Sequence, residues 1–161
     1  MRRLYVSDGV NITPENSLLA GDFINFCADN LPLRGDFEIY VVSDRESHNI
    51  DTTAAYHIGK NIVKVYGKNR ALVDILRSIA HELTHLMQDE GGMLVGDIQD
   101  AGGSIEDEAN ARAGELIKLY AKSHPKRKRI YESAIRKNKY ILWYSNFKQE
   151  PLSLIEWIYQ R

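Results

Sequence analysis

Between Ala71 and Gln88 the apolar residues Leu72, Ile75, Leu76, Ile79, Leu83 and Leu86 recur at the three- and four-residue intervals of one helix face, and Gly91-Gly92 ends the run. A helix with so continuous an apolar stripe must lie against a core. The same helix carries His81-Glu82-Leu83-Thr84-His85, and imidazoles four residues apart stand one turn above the other on one face. The chain therefore has to bury one side of this helix and keep polar chemistry on another.

The elements around it predict an α+β fold. Thr13 followed by Pro14 opens a first helix, with Leu19, Phe23 and Cys27 on one stripe, which Pro32 and Gly35 stop. Two extended runs follow, Phe37 to Val42 and the β-branched Ile62 to Tyr66, and Thr52 to Ile58 reads as a third strand between them. After the long helix another is expected from Ser104, with Ser104 and Asp107 as a capping box and Ala109, Ala113, Leu116, Ile117 and Tyr120 as its buried stripe, up to His124-Pro125. The last segment, with Ile130, Tyr131, Ile135, Tyr140, Ile141, Trp143 and Tyr144 among its basic residues, reads as helical again, and Leu152 to Ile158 closes the chain. At 161 residues and 43% hydrophobic content the chain suits one domain, 1–161, with a core over 37–121 and a basic helical extension over 122–161.

Two histidines at this spacing on a helix are a metal-binding pair, and zinc suits them. Glu82, rotated by about 100° from His81, is placed to act as a general base toward a metal-activated water rather than as a ligand. The chemistry implied is peptide hydrolysis. A catalytic zinc needs a third protein ligand. A histidine six residues beyond His85 would make a metzincin, but that position is Gly91. The next helix offers Glu106, Asp107 and Glu108. Glu108 is favoured, because Ala109, Ala111 and Ala113 beside it allow the two helices to approach closely; Glu106 is its competitor, and Asp107 is explained as the cap.

With His81, Glu82, His85 and the Glu108-Ala109-Asn110 triplet, the chain resembles the gluzincin-type metallopeptidases, in particular the small zincins of the ImmA/IrrE type. The resemblance covers roughly Phe37 to Tyr120. It implies a minimal zincin-like fold, a small mixed β-sheet with an HExxH helix and a following ligand helix. It implies one catalytic zinc on His81, His85 and Glu108, Glu82 as base, and an edge strand near Thr53 to Ile58 on which an extended peptide is laid by β-addition. His57, Tyr56, Tyr120 and His124 are candidate donors to the developing oxyanion, and His124 is preferred.

Charge is unevenly spread although the chain is nearly neutral, at -1. Residues 89–116 are acidic, whereas Lys122, Lys126, Arg127, Lys128, Arg129, Arg136, Lys137 and Lys139 face only Glu132 over 122–139. That basic segment, with its aromatic neighbours, supports an alternative in which a metal-stabilised, non-catalytic module binds nucleic acid or a protein partner; it could equally dock on the acidic stretch of its own chain. The single cysteine, Cys27, fits a reducing compartment and rules out a cysteine zinc module. Neither a secretory leader nor a membrane span is expected. The expectation is a cytoplasmic monomer acting on a protein or peptide substrate.

Overall fold

The computed structural model describes residues 1–94 and 103–132. The helical segments expected beyond position 132 lie outside the described residues. The order is β1 (Arg2–Val6), α1 (Pro14–Asn30), β2 (Phe37–Val42), β3 (Ala54–His57), β4 (Ile62–Tyr66), α2 (Leu72–Glu90) and α3 (Ser104–Ser123), with short 3-10 turns at Glu46–His48 and Arg127–Ile130. The protein is α+β.

The sheet has strand order β1-β2-β4-β3, with β1, β2 and β4 parallel and β3 antiparallel to β4 at one edge. Successive side chains of a strand point to opposite faces, and the register turns this alternation into rows. Leu4, Ile39, Val63 and Tyr56 stand side by side on the face that joins the core, while Tyr5, Tyr40, Lys64 and Ala55 form the neighbouring row on the other face. There Tyr5 and Tyr40 stack with ring centroids 4.8 Å apart. The strands expected at Phe37–Val42 and Ile62–Tyr66 have those bounds in the structure, and the third strand occupies Ala54–His57. The extended run at Arg2–Val6 went unforeseen: β1 is a strand of the same sheet, and β1 and α1 both pack into the core that was expected over 37–121.

Thr13 caps α1, its hydroxyl accepting from the Asn16 amide at 3.2 Å. The capping box expected at Ser104 and Asp107 does not form. Ser104 is already helical, the cap position is Gly103 at φ 97, and the Asp107 amide bonds to the Gly103 carbonyl. Only a glycine takes that backbone conformation without strain. Cys27 is fully buried, as expected of a core residue.

The 3-10 turn after α3 docks on α1. Arg127 donates from Nε and Nη2 to the two carboxylate oxygens of Asp22, at 2.7 and 3.0 Å, and Arg129 donates to Glu15 at 3.1 Å. Two cations of the basic run are thus spent inside the molecule, on acids of the first helix rather than on the 89–116 stretch. Tyr120 completes the junction: fully buried, it donates to Asp22 at 2.8 Å and packs edge-on against Phe23 and Phe26. Among the described residues no helix is long and apolar enough to cross a membrane.

Because hydroxyl and ring serve different partners, Tyr120→Phe should cost about 1 kcal/mol in urea unfolding, and Tyr120→Ala about 3–5 kcal/mol. Equal losses in the two variants would show that the ring's packing contributes little.

Candidate metal centre

α2 is a helix with two working faces. Counting about 100° per residue, Leu72, Ile75, Ile79, Leu83 and Leu86 fall on one side and are buried, while Asp74, Arg77, Ser78, His81, His85 and Gln88 fall on the other. The apolar side enters the core with the sheet and α1. The polar side meets α3 and an open cleft.

At the junction of α2 and α3, His81, His85 and Glu106 present their ligand atoms within 4.8 Å of one another. The two Nε2 atoms are 3.1 Å apart, and the Glu106 carboxylate stands 3.1 Å from that of His81 and 3.0 Å from that of His85. Tetrahedral zinc with bonds of about 2.0–2.1 Å requires ligand atoms about 3.3 Å apart, within a few tenths of an ångström of these separations. Two imidazoles and one carboxylate also form a donor set that zinc takes.

The tautomers sharpen the point. Gln88 is fully buried, and its amide nitrogen donates to the Ile105 carbonyl at 3.1 Å and to Glu108 Oε1 at 3.0 Å. Those two acceptors fix the amide's orientation, so its oxygen, 2.8 Å from His85 Nδ1, must receive that nitrogen's proton. In neutral His85 the Nε2 lone pair then faces the Glu106 carboxylate at 3.0 Å. A lone pair against a carboxylate at that distance is repulsive unless a proton or a cation lies between them. Asn110 hydrogen-bonds to His81 from one turn beyond Glu106, so each imidazole has its own orienting amide. Burial, with His85 beside it, pulls the His81 pKa below its ordinary 6.5 and keeps the ring neutral, as a ligand must be.

Glu108 was expected as the third ligand, and the geometry corrects this. Glu106, Asn110 and Ala113 share one stripe of α3, whereas Glu108 lies about 200° around the axis from Glu106. Its side chain reaches back over the first turn to Gln88 instead. The small residues did mark the close face, since Ala109 and Ala113 are buried. The acid sharing their face lies three residues before the first and seven before the second, which is Glu106, so the spacing held the signal. Asn110 stood in the family-like triplet without a role of its own, and Gln88 was not singled out, because a lone amide carries no motif.

Glu82 is buried, and its carboxyl pKa is raised from 4.5 to about 8, chiefly by burial and then by the neighbouring Glu106 charge; a hydrogen bond from the Tyr56 amide acts the other way. His124, the preferred oxyanion donor, is corrected as well. It caps the far end of α3, about 27 Å along the axis from Glu106, is exposed, and accepts from the Lys126 amide. Tyr120 is committed to Asp22 and the Tyr56 hydroxyl to Asp89. His57 is half-buried on β3, with its Nε2 unpartnered.

Between pH 4.5 and about 8 the folded chain holds a proton on Glu82 that the unfolded chain has released, so stability falls as pH rises through that window, by of order 1 kcal/mol per pH unit. Metal-free Glu82→Gln should therefore gain on wild type as pH rises and match it below pH 4.5, when thermal unfolding is followed with chelator present. The His81 effect, acting below pH 6.5, is common to both chains. Parallel curves would contradict this account of Glu82. In chelator competition, Glu106→Ala should lose zinc, Gln88→Leu should bind it about 10- to 100-fold more weakly, and Glu108→Ala should still bind one ion. Zinc lost in Glu108→Ala and kept in Glu106→Ala would reverse the ligand assignment.

Set against family models, curated proteins and solved structures, the chain shows no significant match.

Proposed function

We propose that this chain is a zinc-dependent metallopeptidase of minimal zincin-like fold, gluzincin-like in its ligands, with His81, His85 and Glu106 holding one zinc and Glu82 acting as general base. The observation that carries the reading is the convergence of two imidazoles and a carboxylate on one point, with His85 Nδ1 committed to Gln88 and its Nε2 turned toward the Glu106 anion. Bound there, zinc supplies a Lewis acid that acidifies water and polarises a peptide carbonyl.

The protein's own groups do the rest. Without metal, burial raises the Glu82 pKa past neutral to about 8; a cation beside it would favour the ionised carboxylate, the form that takes a proton from a nucleophilic water and returns it to the departing amine. Gln88 and Asn110 hold the imidazoles so that little reorganisation is needed. The edge strand β3 supports a place for the substrate. In an antiparallel pair alternate residues face the partner strand, and the Thr53 carbonyl accepts from Tyr66 on β4, which turns the backbone groups of Ala54 and Tyr56 outward. The Tyr56 amide already reaches Glu82, so an extended peptide paired along this edge at Ala54 runs past the base.

The zinc-loaded protein incubated with a proteome-derived peptide library should generate new termini by mass spectrometry. Glu82→Gln should retain one zinc per chain and lose at least about 100-fold of that cleavage. Undiminished cleavage by the variant would remove Glu82 as base. Absence of zinc from the wild-type chain would remove the metal centre.

A further inference from the structure

The cleft beside the metal centre is larger than the chemistry at the metal requires. It measures about 420 Å³, within the range of ligand pockets. His81, Glu82, Glu106 and Asn110 line one end, and Asp74, Arg77 and Ser78 of the N-terminal half of α2 line the other with Arg70, which precedes the helix; Thr52 and Thr53 also line the cleft. The first end is acidic until a cation occupies it; the second carries two guanidinium groups.

Arg70 is half-buried, and its three hydrogen bonds all go to neutral oxygens: the Tyr66 carbonyl at 2.8 Å, the Asp74 carbonyl at 3.1 Å and the Ser78 hydroxyl at 2.9 Å. Burial lowers its pKa, and the nearby Asp74 charge only partly offsets this. A partly buried charge is ordinarily matched by a bonded counter-ion, yet among the described residues Arg70 forms no ion pair, and the exposed Arg77 beside it forms none either. The bond to Ser78 brings the Arg70 head group to the helical turn just before His81. Arg77 occupies the same turn, four residues before His81 and on its face, about 6 Å away along the axis. A peptide advances about 3.4 Å per residue when extended, so this separation along the helix axis corresponds to about two residues of a substrate whose carbonyl is placed at the metal. A guanidinium fork binds a carboxylate bidentately. Asp74 on the same wall opposes a dianion more than a monoanion, which favours a carboxylate over a phosphate.

We propose that this end of the cleft is an anion subsite, in which Arg77 and Arg70 take a carboxylate of the peptide substrate and direct cleavage to within about two residues of an acidic side chain or of a free C-terminus. The assignment rests on the metallopeptidase reading.

Three peptide hydroxamates of equal length test it, each carrying the zinc-binding group in place of the scissile carbonyl. Two residues on, the first has glutamine and an amidated end, the second glutamate and an amidated end, and the third glutamine and a free C-terminal carboxylate. Calorimetric titration into the zinc-loaded chain should give at least about tenfold tighter binding for the second or the third than for the first. Which of the two gains identifies the source of the carboxylate. The gain should close in Arg77→Gln, an exposed position where folding is not at risk, and widen in Asp74→Asn. Equal binding of all three overturns the subsite and leaves the metal centre standing. If none binds, zinc analysis separates the cases: with zinc present the cleft is closed to peptide and the subsite is overturned, and with zinc absent the metallopeptidase reading falls and the subsite with it.

Discussion

The amide of Gln88 is the interaction on which the candidate site depends. Fully buried, it donates twice to the first turn of α3, to the Ile105 carbonyl and the Glu108 carboxylate, and accepts from His85. A buried amide left unsatisfied would cost about 1–3 kcal/mol per group, so α3 is held at one height and rotation against α2. That placement brings Glu106 to the two imidazoles. The same amide fixes the His85 tautomer, which joins helix packing and ligand readiness in one side chain.

The other half of the arrangement is the opposition of faces on α2. Its apolar stripe is locked into the core with the sheet and α1, so the polar stripe has no freedom to turn away from the cleft. Rigid backing of this kind is what a metal site needs, since ligands that drift by an ångström lose geometry and affinity. Because β3 ends the sheet at the edge beside α2, backbone groups of an open strand lie next to Glu82. Electrostatics follows from the same packing. Burial drives Glu82 toward a proton and His81 away from one, and Glu106 adds to the first effect.

Much of this was legible in the residues. Periodicity located α2 and the β2 and β4 strands, Thr13-Pro14 located the start of α1, and the spacing of His81 and His85 put two imidazoles on one face. Several readings went differently, three of them for reasons visible in the local chain. β1 is short, with Leu4 its one fully buried residue, so it leaves almost no alternation to detect; its partner strand makes it a strand. Ser104-Asp107 has the letters of a capping box, but Gly103 turns the backbone first. Glu108 sits in the family-like triplet, but the angular position that faces α2 belongs to Glu106.

The residues alone fixed which helix would be amphipathic, which side chains were capable of holding a metal, and that Glu82 would stand beside them, because these depend on spacing within one helix and the helix sets angles locally. Only tertiary structure decided which acid meets the two imidazoles, the lowered proton affinity of His81 and the raised one of Glu82, and the pairing of Arg127 and Arg129 with Asp22 and Glu15. Each of these depends on what a second element brings within about 3 Å, on burial and on competing partners. Such distances are set by how α3 and the turn after it dock, a choice among acids and amides that are equivalent as letters and inequivalent once one face of α2 is closed into the core.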